Sequence, residues 1–352
     1  MDLDLYLSCK INDNNICHYV SETNHKLIIN KKMNLTNCIN LFDIDINFIK
    51  QAYNLCDYTN EEIVNYVKNN DFINHIFHPK QLYNLFNYKI KILITDSKII
   101  YIHFDNNYYT INNFIKHIDN YSFNTFKELM IREIDNCDFS SNNLLLLIYI
   151  GSDTDINIIL DKIKMYYNIE TFSIAFCIHF KLIDSIIPII KENFKNNFII
   201  YSSNEFGNDI VPSLLVYNEI INKYNFNYII KIHTKLDKIF LYKAVDYLLK
   251  SNLNNLLLNK NKNSSSIGFK YIKNKNDVFN KKLHLQFNNI LINNEFVPGT
   301  IFLTTSNVMN NTFNFLKDNY KIIFYQNMYD NNSLNKDCSY VHFMERLFGY
   351  II

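Results

Sequence analysis

The pattern of apolar and polar positions changes character near residue 143. Beyond it, short and wholly apolar runs alternate with longer stretches of helical spacing. LLLLIYI (144–150), FSIAFCIHF (172–180), FIIYSS (198–203) and YIIKIH (228–233) predict strands, the first of them apolar enough to be buried on both faces. Between them TDINIILDKIKMYYN (154–168) and LIDSIIPIIKENF (182–194) carry helical periodicity, with a kink expected at Pro188. A third helix is expected to begin near Pro212, a residue suited to a first turn. The spacing then predicts a long helix over 239–258, strands in SSIGF (265–269) and EFVPGTIFLTT (295–305), a helix over 307–319 and a terminal helix in SYVHFMERLFGYI (339–351). Repeated strand–helix units predict an α/β fold: a mostly parallel sheet with helices on both faces, and ligands at the carboxyl ends of its strands.

The preceding part reads differently. Residues 1–40 alternate short apolar and polar runs without a clear element. Residues 43–90 look helical, with Thr59 as a cap before Glu61 and Glu62. Residues 89–111 read as strands turning at Asp105-Asn106-Asn107, 112–134 as helix, and Ser140-Ser141-Asn142 as a linker. The expected organisation is a mainly helical α+β region with a small strand pair over 1–142, then one α/β domain over 143–352.

Composition narrows the class. Of 352 residues, 48% are apolar and 15% aromatic, enough for a large core. A net charge of +1 with only two Arg (Arg132 and Arg346) argues against a dedicated nucleic-acid binder. No apolar run approaches the roughly 18 residues of a spanning helix, and the acidic, polar start is unlike a secretory leader. Seven scattered Cys without a CxxC pair fit free thiols in a reducing compartment, so a soluble cytoplasmic protein is expected. The 59 Asn, three Ala, five Gly and four Pro indicate an AT-rich genome, such as that of a large DNA virus or a protist parasite. Asn is then a poor marker, whereas a Gly or Arg kept under such bias has a reason. All five Gly lie beyond residue 150. The Lys-rich stretch 270–282 reads most simply as a solvated loop, with contact to a polyanion or membrane surface the less favoured reading.

Four stretches carry candidate chemistry. Asn204-Glu205-Phe206-Gly207-Asn208-Asp209 lies between a strand and a helix. Gly207 there would expose backbone amides to a phosphate, and Asp209 would hold a hydroxyl or a metal, or simply cap the helix. Lys231, His233 and Lys235 fall on one face where the fourth strand ends, a costly placement unless an anion is near or the strand tip is wet. Pro298-Gly299 interrupts a strand-like run, marking a bulge or a close approach. His342, Glu345 and Arg346 share one helical face, as a site or as a structural Glu–Arg pair.

In their order, YIGSDTD, N-x-x-G-x-D-I-x-P, Y-I-I-K-I-H-T-K, F-V-P-G-T-I-F and H-F-M-E-R-L-F-G resemble the rhamnan synthesis F family of polysaccharide-building glycosyltransferases, domains of which also occur in large DNA viruses. The resemblance covers about 144–352. Glu205, Phe206 and Pro298 depart from residues common in that family. It implies a GT-A-like, Rossmann-type fold and transfer of a sugar from a nucleotide-diphosphate sugar to a glycan or protein-linked acceptor. Such folds usually carry an Asp-x-Asp metal motif where His233-Thr234-Lys235 stands here, so basic groups are expected to hold the diphosphate, with Mn or Mg an open question, Asp209 the lone acidic metal-ligand candidate and His233 a less favoured one. The implied donor site is Asn204, Gly207, Asp209, Lys231, His233, Thr234, Lys235 and Arg346; Phe296, Pro298, Gly299 and Thr300 line the substrate side; Glu345, then His342, is the expected base. The alternative is a non-catalytic glycan-binding or virion-associated protein of the same fold. A Rossmann dehydrogenase or methyltransferase is disfavoured, because no G-x-G-x-x-G follows the first strand.

Overall fold

The computed structural model describes residues 4–11, 16–22, 59, 91–95, 100–104, 107–110, 114, 117–118, 120–140, 142–153, 156–166, 172–204, 209–234, 237–251, 253–258, 260–261, 263–273, 295–328 and 340–349. The chain divides into two compact units, Met1–Phe126 with Lys321–Lys336, and Lys127–Tyr320 with Asp337–Ile352.

In the first unit β1 (Asp4–Ile11), β2 (Ile16–Glu22), β3 (Lys91–Thr95), β4 (Ile100–Phe104) and β5 (Asn107–Thr110) form an antiparallel sheet in that order. The strand pair expected over 89–111 is thus three strands, with Phe104 opposite Asn107 across the last turn. Two more come from 1–40, where local pattern alone predicted nothing. They pair with each other, and β2 joins a partner distant in sequence: Ile16–Tyr19 pair with Ile92–Thr95. The helical expectation over 43–90 falls, apart from Thr59, outside the described residues.

The second unit is built on a six-stranded sheet, β13-β10-β7-β8-β9-β6. Helix α1 (Phe123–Met130) runs directly into β6 (Ile131–Cys137), so 131–134 are strand, not helix. β6 pairs antiparallel with β9 (Phe198–Ser203), with a bulge between Glu133 and Asp135. Of its residues only Ile131 is buried, so its sequence lacks the alternation that marks a half-buried strand. β7 (Leu144–Ile150), β8 (Phe172–His179), β9 and β10 (Tyr228–His233) are parallel, as their apolar runs predict. Every β7 residue is buried. Full burial of one Leu or Ile contributes about 1.5–3 kcal/mol, so this strand alone anchors the core.

The chain steps outward from β7 to β8 to β9, then returns to place β10 on the other side of β7. Alternate residues of these strands (Leu146, Ile148, Phe176, Ile232) share one apolar cluster with α2 (Ile156–Tyr166), α3 (Ile183–Asn193) and α5 (Lys238–Lys250). Helix α4 (Ile210–Ile221) packs against β6, β7 and β8, with α8 (Tyr340–Leu347) in turn against it. Sandwiched in this way, α4 is buried on nearly every side, and its apolar residues run all round it.

Four expected elements change shape. The helix over 239–258 breaks at Ser251 into α5 and α6 (Leu253–Leu258). SSIGF is not a strand; Ile267 alone bridges Leu303, through two 2.8 Å hydrogen bonds. EFVPGTIFLTT divides into β12 (Glu295–Phe296), paired with β11 (Ile272–Lys273), and β13 (Phe302–Thr305), antiparallel to β10. The helix expected over 307–319 is longer, α7 (Ser306–Met328). Among the described residues no helix is long and apolar enough to cross a membrane.

Candidate functional site

Strand order reverses between β7 and β10, and in parallel sheets a ligand crevice opens at the carboxyl ends of the strands where this happens. Thr234 ties the two ends together. Its amide donates to the Tyr149 carbonyl at 3.0 Å, and its hydroxyl oxygen accepts from the Gly151 and Ser152 amides at 3.0 and 3.2 Å. Thr234 is therefore a strut across the reversal, where a donor contact was expected.

Three residues earlier, on β10, Lys231 is wholly buried. A lone ammonium there would be prohibitive. Its Nζ donates to the Asp209 carboxylate and, at 3.3 Å, to the Thr300 carbonyl. Asp209 stands at the N-terminal cap position of α4, yet its side chain makes no capping bond. Instead Oδ2 takes Lys231 and the Thr300 hydroxyl together. Burial alone would raise the Asp209 carboxyl; the positive charges of His233 and Lys231, with the two hydrogen bonds, outweigh it and hold the group well below the usual carboxylate range. Lys231 is thus committed inside the cluster and not presented as a diphosphate cation, and Asp209 is not a simple cap.

Thr300 follows Gly299 in a turn where both backbones are left-handed, φ 51° and 76°. For a β-branched residue this is strained by about 1–3 kcal/mol. The turn is held from three elements. Asp209 and Lys231 grip Thr300 as described. From β10, the His233 ring meets two carbonyls, Thr234 through Nδ1 at 2.8 Å and Gly299 through Nε2. A carbonyl only accepts, so each contact is a hydrogen bond when the ring nitrogen facing it carries a proton. From α8, Glu345 Oε1 accepts from the Gly299 amide at 2.7 Å.

The remaining expected residues are placed as follows. Asn204 is buried, and its side-chain amide donates to the Leu129 carbonyl at 2.7 Å, joining β9 to α1, a structural role. Phe296 is buried, with the Arg346 guanidinium 5.6 Å from its ring centre, and Arg346 itself is buried. Pro298 is half-buried at the edge of the turn. Gly207 and Lys235 lie outside the described residues, as does the side chain of His342, whose backbone belongs to α8. The structure therefore brings Asp209, Lys231, His233, Gly299, Thr300 and Glu345 together, and sets Asn204 and Thr234 to other work.

Sequence reading missed that Lys231 and Asp209 serve each other, and that Cys177 lies beneath them. Strand register shows the second: His233, Tyr149 and Cys177 stand side by side on β10, β7 and β8. Burial pushes the Cys177 thiol up to about 12, so it is inert at neutral pH.

Asp209 is the metal-ligand candidate from the sequence. Its Oδ2 already holds an ammonium and a hydroxyl, and among the described residues no three His, Cys, Asp or Glu side chains converge. No protein-family model matches the sequence, and a search of curated proteins finds no similar one.

Proposed function

We propose that this protein is a glycosyltransferase of GT-A-like fold that transfers a sugar from a nucleotide-diphosphate donor to a glycan or protein-linked acceptor. The observation that carries the reading is the Gly299-Thr300 turn beside the sheet's reversal point, on which Asp209, His233 and Glu345 converge from three separate elements. The order of sequence motifs resembling the rhamnan synthesis F family supports it, as does the antiparallel β13 beside the last parallel strand.

In this reading the donor lies over the carboxyl ends of β7 and β10. His233 faces the leaving diphosphate, and Lys235 and the amides after Gly207 supply positive contacts. Leaving-group charge builds as the anomeric centre becomes oxocarbenium-like, and fixed positive groups lower that barrier. Glu345, oriented by the Gly299 amide, takes the proton of the attacking acceptor hydroxyl. Lys231 and Asp209 position the turn and touch no substrate. No step is routed through a metal.

The test is a thermal-shift panel of nucleoside diphosphates and nucleotide sugars, with and without Mn²⁺, followed by donor-hydrolysis and transfer assays. One nucleotide should stabilise the protein, and its sugar conjugate should be turned over. Binding with no turnover on any acceptor would leave a glycan-binding protein instead. If no nucleotide binds, the reading fails.

A further inference from the structure

Apolar side chains open to solvent gather on the outer face of α5 and the segment beside it. Ile239 and Tyr242, at i and i+3 on α5, are 70% and 49% exposed. Phe269 is 42% exposed and packs edge-on against Phe240 and Tyr247 of the same helix, at 6.3 and 6.4 Å. That contact fixes 268–273 alongside α5, so Phe269 and Ile239 flank one surface. Lysines are interleaved with them: Lys243 on α5, Lys270 and Lys273 on the segment, all exposed. Two acids lie on or beside α5: Asp237, whose carboxylate accepts from the Phe240 amide at 3.0 Å, and Asp246, which is paired with Lys162, whose Nζ also stands 4.2 Å from the Tyr242 ring centre.

We infer that this face docks on the surface of an anionic lipid bilayer. The inference is independent of whether the rim of the sheet transfers a sugar. A protein partner would favour shape-matched apolar contacts with charges at the rim. Here charge and apolar side chains alternate, so no dry patch forms. Nucleic-acid recognition favours Arg, whose fork reads bases and phosphates, and this face has none. Lysines whose aliphatic stems lie along apolar neighbours while their ammonium groups reach outward suit an interface of acyl chains below and anionic headgroups above. Aromatic rings such as Tyr242 and Phe269 belong at that depth.

The test is flotation of the full chain with vesicles of phosphatidylcholine alone and of phosphatidylcholine mixed with phosphatidylserine. The protein should float with the mixed vesicles, remain unbound with the neutral ones, and be released by added salt. Lys243→Glu and Lys270→Glu should each weaken binding by about fivefold or more. Ile239→Asp should abolish flotation while leaving the thermal unfolding midpoint unchanged within a degree or so, because this side chain is exposed; Phe269→Ser should abolish it too, at some cost in midpoint, because the ring packs on Phe240 and Tyr247. Equal binding to both vesicle types, binding insensitive to these variants, or retention of RNA by this face without vesicle binding would overturn the inference.

Discussion

The Gly299 amide donates to the Glu345 carboxylate at 2.7 Å, and this hydrogen bond fastens α8 to the left-handed turn that precedes β13. The contact sets apart two roles for Glu345. Glutamine offers the same carbonyl acceptor to the amide without a basic oxygen. Glu345→Gln should therefore keep the fold and nucleotide binding while lowering kcat at least a hundredfold, the loss expected of an absent general base. Glu345→Ala should in addition lose about 1–3 kcal/mol of stability, because a buried amide is left without its acceptor. Steady-state kinetics beside thermal unfolding separates the two. Unchanged kcat in the glutamine variant removes Glu345 from the chemistry.

Lys231→Met should destabilise the protein by about 3–5 kcal/mol, since it strands the Asp209 carboxylate in the interior. The double variant with Asp209→Asn should recover much of this, because two neutral groups replace a broken ion pair. A double-mutant cycle in urea measures the coupling. Additive losses would show that the pair is not what holds the turn.

Asp209 also shapes the acid limb of stability. Its folded-state carboxyl titrates far below its ordinary value of 3.8. The stabilisation is complete above the unfolded value and is lost as pH falls below it toward the folded one. Asp209→Asn should flatten the unfolding midpoint against pH below about 4 and leave the dependence above it unaltered. An identical acid limb in the variant would assign that limb to other carboxylates.

Gly349 and Gly151 offer a controlled comparison. A Cβ on Gly349 would lie 2.4 Å from the Glu295 carbonyl oxygen, a backbone atom that cannot step aside. On Gly151 the nearest atom, at 2.8 Å, belongs to the Tyr149 ring, which can rotate. Gly349→Ala should cost about 1–3 kcal/mol and Gly151→Ala less. Equal midpoints in the two variants would contradict the packing at β12.

The parallel core was legible in the sequence because its strands are apolar on both faces and each is closed by a local helix. LLLLIYI and YIIKIH admit little else. The edge strands were not, because their order comes from partners elsewhere. β6 exposes most of its side chains, and β2, which carries β1 at its other edge, finds β3 some seventy residues on. At the site, alternation along β10 put Lys231 and His233 on one face, and the Pro-Gly break announced the turn. What local pattern could not supply was who neutralises whom. A Lys at a strand end reads as an offer to a ligand until the tertiary fold shows Asp209 already on it. Thr300 is similar: nothing in its neighbours predicts a left-handed β-branched residue, a conformation imposed by the groups that hold it.

The groups that grip the turn are supplied by residues between 209 and 345. During synthesis the parallel strands through His233 leave the ribosome long before Glu345 does, so the sheet can assemble while its rim is still unmade. A chain stopped before α8 would keep β7 to β10 and lack the anchor for Gly299. Vectorial growth thus delivers the scaffold first and the held turn last.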